Sequence, residues 1–292
     1  MHYTFPVERC EILGIPVDAV SQQEAIRCIV QFCRSAGQFH IATPNPEMLV
    51  EATKNEEFRN VLRNTTLNVP DGVGLVWAIK RSKGFKGCKG SKSRNTSTTF
   101  TTSTTFITPV ERVTGADLLQ AITAPQSRLC PPERIFLLGA APGVAEKAAV
   151  ELKKRNPAIR DIGTWSGSPS VEDEAEIIRR INTFSFTPRS SGGSGGGHIL
   201  LFVALGAPKQ DLWIARNLKK LPSVKIAMGV GGALDFLSGR KKRAPRWMQA
   251  IGIEWLWRLI LEPRRVGRIW NAVVVFPWMI YVCHPEEPPS RL

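Results

Sequence analysis

The chain has 292 residues and a formal net charge of +14, because 39 Lys and Arg outnumber 25 Asp and Glu. Its length fits one large α/β domain, alone or with an appendage, and its 43% hydrophobic content is ample for a buried core. The six cysteines and four histidines are scattered, and their spacing does not fit a zinc site or a disulfide framework. The positive charge favours phosphates, nucleic acid or anionic lipid as partners.

Short apolar strands alternate with helical patterns in the first third of the chain. Strands are predicted at 12–17, 39–43 and 67–69, with a helix at 47–63. Ser21 and Glu24 have the spacing of a capping box and predict that another helix begins there. The strands at 39–43 and 67–69 both end at prolines, so each is followed by a stiff loop.

Two low-complexity stretches, 84–108 and 188–197, interrupt the remaining α/β pattern and predict insertions or flexible connectors. Around them, strands are predicted at 134–138, 199–205 and 224–230, and helices at 144–155 and 211–220. Each of these strands is followed by a glycine turn. This order predicts a Rossmann-like α/β fold, with an open, mostly parallel sheet flanked by helices and ligands at the carboxyl ends of the strands.

The chain changes character after residue 238, which predicts a domain at 1–238 and a basic, tryptophan-rich appendage at 239–292. Nine Lys or Arg stand against two Glu between Arg240 and Arg268, interleaved with tryptophans. The apolar run Ile269–Val282 is too short to span a bilayer but long enough to lie in its interface. The alternative is an ordinary helix packed on the core. No signal peptide is apparent, so a cytoplasmic protein is expected.

Asp71 is the sharpest local candidate for chemistry. It follows a predicted strand in the sequence Pro70-Asp71-Gly72, where glycine allows a ligand to approach the backbone closely. In an open parallel sheet, catalytic groups belong at such strand ends. The alternative is that Asp71 only caps the next helix.

Thr43 and Asn45 lie in the proline-stiffened loop after the preceding strand. Their hydroxyl and amide groups are suited to a sugar or a phosphate. The alternative is a proline-rich turn in which these side chains satisfy their own backbone.

Three glycine turns, at 139–143, 206–211 and 229–235, follow consecutive strands and together predict one nucleotide cleft. Lys209 and Gln210 in the second turn could hold a diphosphate. The chain contains no D-x-D sequence, the paired carboxylates that commonly bind a metal ion in sugar-nucleotide transferases. A transferase of this sequence would therefore neutralise the leaving diphosphate with cationic side chains. The candidates are Arg112, Arg258, Arg264, Arg265 and Arg268.

The ordered set of these segments resembles the WecG/TagA/CpsF glycosyltransferase family. The matching segments, in the family's order, are TPNPE (43–47), PDGVG (70–74), RVTG (112–115), FLLGAAPG (136–143), GAPKQD (206–211), GVGGALDFLSG (229–239), RAP (243–245) and EWLWRLILEPRR (254–265). They cover nearly the whole chain apart from the two low-complexity stretches. The insertion between PDGVG and RVTG departs from the family pattern.

The resemblance implies an inverting, metal-independent glycosyltransferase without a cofactor. It would move N-acetylmannosamine or a related hexose from a UDP-sugar donor to a polyprenyl-diphosphate-linked acceptor, at the inner face of the plasma membrane. Asp71 would be the general base, and Thr43 and Asn45 would orient a sugar.

By the same resemblance, Arg112 and Gln210 would contact the donor, and Gly231 and Asp235 would lie along its nucleotide. Arg258, Arg264 and Arg265 would bind the lipid diphosphate or the leaving UDP. Expected partners are the two substrates and an anionic membrane surface, but no nucleic acid. Self-association stays open, because an exposed apolar tail suits either a second copy of the chain or lipid. The rival hypothesis is a non-catalytic, basic nucleotide- or nucleic-acid-binding Rossmann module, motivated by the charge and the glycine turns.

Overall fold

The structure is a computed structural model that describes residues 7–84, 110–125, 134–186, 198–245, 247–248 and 251–283. The predicted insertions at 84–108 and 188–197 lie outside these ranges, apart from Gly84, which ends a helix.

A hairpin precedes the main sheet, formed by β1 (Arg9–Ile12) and β2 (Ile15–Asp18). The prediction of one strand at 12–17 was therefore wrong. Leu13 and Gly14 both have positive φ, 49° and 77°, which is the backbone geometry of a tight two-residue hairpin turn. Arg9 pairs with Asp18 across the hairpin at 2.7 Å.

Six parallel strands form the central sheet, which confirms the Rossmann-like prediction. They are β3 (Phe39–Ala42), β4 (Leu67–Asn68), β5 (Arg134–Gly139), β6 (Asp161–Trp165), β7 (Ile199–Ala204) and β8 (Val224–Gly229). Their order in the sheet is β4-β3-β8-β7-β5-β6. The central strands β5, β7 and β8 are buried along their whole length, as their nearly continuous apolar sequence predicts. Sequence analysis did not identify the edge strand β6.

Helices cover both faces of the sheet. They are α1 (Gln22–Arg34), α2 (Pro46–Lys54), α3 (Glu56–Asn64), α4 (Val73–Gly84), α5 (Gly115–Ile122), α6 (Val144–Arg155), α7 (Val171–Phe186), α8 (Lys209–Asn217) and α9 (Ala233–Leu237). Helices α1, α5, α6 and α9 share one apolar cluster with the sheet, and α7 and α8 share another. The predicted capping box at Ser21 and Glu24 is confirmed. Sequence analysis did not predict α7.

The single helix predicted at 47–63 was wrong, because Asn55 divides it into α2 and α3. The backbone N–H of Asn55 donates to the carbonyl of Glu51 at 2.9 Å and closes α2. Its side-chain Oδ1 accepts the N–H of Phe58 at 3.0 Å and so begins α3.

The described appendage contains α10 (Glu254–Leu261), α11 (Val266–Trp270), a π-helical stretch (Asn271–Val275) and α12 (Phe276–Cys283). The π-helical stretch packs on α2, and α12 packs on α2 and α4. Phe276 and Ile280 are buried in the apolar cluster that includes α2, α3 and the hairpin. The opposite side is exposed, with Trp270 at 59% and Trp278 at 65% of full exposure. Within the described ranges, every helix is too short or too polar to traverse a bilayer. The domain boundary at residue 238 stays a prediction.

Candidate active site

Two adjoining compartments open at the carboxyl ends of β3, β4, β7 and β8. The inner compartment, of about 140 Å³, is lined mainly by polar groups and glycine turns, including Thr43, Thr114, Gly206, Gln210 and Gly231. The outer compartment, of about 310 Å³, lies between the core and the appendage, and its wall includes Val73, Arg112, Trp255, Ile269, Ala272 and Pro277. Both compartments share Asn45, Glu47, Asp71, Arg265 and Arg268.

Asp71 lies on the wall that the two compartments share. Its loop is held from both sides, because the N–H of Asp71 donates to the carbonyl of Pro44 at 2.9 Å and the carbonyl of Pro70 accepts the N–H of Val113 at 3.0 Å. Helix α4 begins with the carbonyl of Gly72. Gly72, whose φ is 107°, is therefore the N-cap residue of α4, and Asp71 lies one position before it.

Asn45 and Thr43 both make structural contacts while they line the site. Asn45 Oδ1 accepts the N–H of Met48 at 2.9 Å, so Asn45 caps α2, as the structural alternative predicted. The hydroxyl of Thr43 donates to the carbonyl of Gly229 at 3.4 Å. Asn45 lines both compartments, whereas Thr43 lines the inner one. The backbone contacts fix both side chains at the carboxyl end of β3.

Gln210 and Gly231, which were predicted from different glycine turns, are in direct contact. The N–H of Gly231 donates to Gln210 Oε1 at 3.0 Å, and Gln210 is only 3% exposed. A Cβ at Gly229 would lie 2.5 Å from Gln210 Nε2, so only glycine admits this side chain there. The third turn, 139–143, is absent from the described lining of either compartment.

Arg112 belongs to the outer compartment and not to the inner one. Its Nη1 donates to Glu254 Oε2 at 3.1 Å, which joins the core to the first residue of α10. Sequence analysis did not select Glu254, although it opens the EWLWRLILEPRR segment.

The remaining predicted cations are distributed unevenly around the site. Arg265 lines both compartments and is paired with Glu262. The pKa of Glu262 lies below its usual range, chiefly because Lys241 donates a hydrogen bond to it. Arg268 also lines both compartments and pairs with Glu47, another residue that sequence analysis did not select. Together with Arg112, the described site thus holds three arginines that are each paired with a carboxylate.

Three predicted substrate-binding residues are not placed in either compartment. Arg264 is exposed and lines neither of them. Asp235 lies in a neighbouring cavity of about 40 Å³, where it pairs with Lys241 at 3.4 Å. The side chain of Arg258 lies outside the described part of the structure.

Comparison with known proteins gives one family and several curated relatives. The profile described as "Glycosyl transferase WecG/TagA/CpsF family" matches residues 10–102 and 100–287. A protein of Staphylococcus aureus (strain MRSA252), named N-acetylglucosaminyldiphosphoundecaprenol N-acetyl-beta-D-mannosaminyltransferase, is 28% identical over 93% of this chain and 92% of its own. Proteins of the same name from strains NCTC 8325 / PS 47 and COL are 27% identical over the same shares. The comparisons favour the transferase over the rival binding module.

Proposed function

Because the chain belongs to the Glycosyl transferase WecG/TagA/CpsF family and is a glycosyltransferase, we propose that it moves N-acetylmannosamine or a related hexose from a UDP-sugar to a sugar linked to undecaprenyl diphosphate. The observation that carries this proposal is the position of Asp71 on the wall between two unlike compartments. In a reaction between two substrates, the general base must lie where the acceptor hydroxyl meets the donor sugar.

The polar inner compartment suits the donor nucleotide. Its glycine turns bring backbone N–H groups to the carboxyl edge of the sheet, the usual position for phosphates in open α/β folds. Gln210 and Gly231 line this compartment together with Thr43 and Thr114. The family resemblance assigns Asp235 and Arg258 to substrate binding as well, and that assignment stays a prediction.

The outer compartment suits the acceptor, because it combines arginines with an apolar wall. Arg265 and Arg268 would meet diphosphate oxygens, while Val73, Ile269 and Pro277 offer contacts to a hydrocarbon chain. The wall is built partly from α11, the π-helical stretch and α12, whose outer side exposes Trp270 and Trp278. A polyprenyl chain could therefore pass from the compartment into an adjacent membrane.

The proposed reaction is a single displacement. The Asp71 carboxylate takes the proton of the acceptor hydroxyl, whose oxygen bonds to the anomeric carbon as the bond from that carbon to the UDP oxygen breaks. UDP leaves with the electron pair, and Arg265 and Arg268 compensate its charge in place of a metal ion. Displacement on an α-linked donor inverts the configuration, which agrees with the β-linked product in the relatives' name.

We expect transfer to survive removal of divalent cations. Among the described residues, no group of three or more His, Cys, Asp or Glu could hold a metal ion. The measurement is UDP release from a panel of UDP-sugars, with a lipid-diphosphate GlcNAc acceptor, in the presence of EDTA. Acceptor-dependent release in EDTA would support the metal-independent transfer, and the best donor would identify the sugar. Loss of release in EDTA, restored by Mg²⁺, would contradict metal independence.

We also expect the appendage to bind anionic membranes at the inner face of the plasma membrane. Tryptophan side chains favour the depth of the lipid headgroups and arginine side chains bind lipid phosphates, and the appendage carries both residue types. Trp270→Ser combined with Trp278→Ser should weaken binding to vesicles with anionic phospholipid by about tenfold or more, since each large apolar side chain contributes about 1.5–3 kcal/mol when buried. Cosedimentation measures this binding, and added salt should weaken it.

Val171→Ser is the matched control for this experiment. Val171 is 72% exposed at the start of α7, far along the chain from the appendage. This variant should bind vesicles like the wild type. Equal binding by the tryptophan variant would refute the membrane assignment, and a concentration-dependent dimer that the same substitutions disrupt would assign the surface to self-association.

A further inference from the structure

Four charged side chains of alternating sign join the core to the appendage. The pair Arg243 and Asp117 forms two hydrogen bonds, with Arg243 Nη1 donating to Oδ1 at 2.6 Å and Nη2 to Oδ2 at 3.0 Å. The second pair is Arg112 and Glu254. Asp117 and Arg112 belong to the core, whereas Arg243 and Glu254 belong to the appendage. These four residues are called the charge cluster below.

The charge cluster is largely shielded from water. Side-chain exposure is 7% for Glu254 and 20–27% for the others. Burial acts to raise the pKa of Asp117, but hydrogen bonds from Arg243 and Thr114, together with the charges of Arg243 and Arg112, outweigh burial and hold this pKa below its usual range. The hydrogen bond with Asp117 raises the pKa of Arg243, against burial, and the charges of Glu254 and Asp71 raise it further. The two pairs therefore lie within electrostatic reach of one another and of Asp71.

Hydrogen bonds connect the charge cluster to both parts of the site. The hydroxyl of Thr114, which lines the inner compartment, donates to Asp117 Oδ2 at 2.7 Å. Val113 donates its N–H to the carbonyl of Pro70, the residue before Asp71. A shift of this short segment would therefore move the loop that carries Asp71.

We propose that Asp117 and Arg243 are positioning residues, whose ion pair docks the start of the appendage on the core and thereby holds the outer compartment and Asp71 in the geometry for transfer. The proposal rests on the proposed function, because it assigns a role in the same reaction. In the described structure neither residue lines either compartment, so they act through their neighbours Arg112 and Glu254.

The test compares Arg243→Met, which removes the charge and keeps the length, with Arg243→Lys, which keeps one charged donor. Breaking a partly buried ion pair leaves its partner uncompensated, so Arg243→Met should speed hydrogen exchange of the α10 amides by about tenfold and lower kcat by about tenfold. The affinity for UDP should stay within about twofold, since neither Asp117 nor Arg243 lines the inner compartment. Arg243→Lys should recover most of kcat and of the slow exchange.

Glu174→Gln is the control, because Glu174, whose side chain is 12% exposed, forms an ion pair with Arg216 at 2.8 Å between α7 and α8. This control should leave α10 exchange and kcat unchanged. The proposal is overturned if Arg243→Met leaves α10 exchange at the wild-type rate. It is equally overturned if Glu174→Gln produces the same changes, which would mark a general loss of stability. Exchange and UDP binding need no acceptor, so they test the docking by this ion pair independently of transfer, and an unchanged kcat in Arg243→Met would overturn its role in transfer.

Discussion

Replacing Asp71 with Asn is expected to lower the turnover number by about 10²- to 10⁴-fold, the contribution usual for a positioned general base. Asn keeps the size of the side chain and removes its ability to take the proton of the acceptor hydroxyl. The loop should keep its place, because its hydrogen bonds to Pro44 and Val113 use backbone atoms. UDP affinity, measured by calorimetry, should therefore change by no more than about twofold.

Asp173→Asn is the control for the Asp71 substitution. Asp173 lies in the first turn of α7, where its Oδ2 accepts the N–H of Ser168 at 3.3 Å, and it lines neither compartment. Turnover of this variant should equal that of the wild type. Wild-type turnover by Asp71→Asn would disprove the general-base role, whereas parallel losses of turnover and UDP affinity would point to a role in folding.

Arg265→Ala should reduce kcat/KM by about 10- to 150-fold, since a hydrogen bond to a charged group contributes about 1.5–3 kcal/mol. Arg265 lines both compartments and therefore reaches the proposed positions of the donor and acceptor diphosphates. Its present partner is Glu262, which Lys241 also contacts at 2.7 Å. Glu262 would thus keep a cationic partner when Arg265 turns to a diphosphate, which makes the exchange of partners inexpensive.

The neighbouring Arg264 gives a comparison within the same turn. The family resemblance placed both arginines at the substrates, but Arg264 is exposed and lies outside both compartments. Arg264→Ala should therefore reduce kcat/KM, measured with a detergent-solubilised acceptor, by less than about threefold. Equal losses for the two variants would contradict the assignment of Arg265 to the site and favour a shared effect of positive charge.

Most of the site residues that follow strands of the sheet could be predicted from local sequence patterns. Buried apolar strands that end in glycine or proline loops place their following residues at one edge of a parallel sheet. Asp71, Thr43 and Gln210 were selected in this way, and all three lie at the compartments. The same reasoning selected the turn at 139–143, which lies outside the described lining of both compartments, so its place in a nucleotide cleft stays a prediction.

The errors in secondary structure arose where one residue changed the local geometry. Gly14 turns the predicted strand at 12–17 into a hairpin, and Asn55 divides the predicted helix at 47–63. In both segments the apolar pattern continues across the break, so periodicity alone did not reveal it. Asn55 forms hydrogen bonds to both sides and so satisfies the end of one helix and the beginning of the next.

The sequence by itself determined the parallel α/β fold, the order of the family's segments and the residues at the strand ends. These features depend on the hydrophobic periodicity of short segments and on the positions of glycine and proline beside them. Only the tertiary structure decided which charges meet. Arg112 reaches Glu254 across 142 positions and Arg243 reaches Asp117 across 126. The physical reason is that an ion pair depends on where packing places two side chains. Part of that placement comes from the apolar burial of Phe276 and Ile280, which lie far along the chain from Arg112 and Asp117.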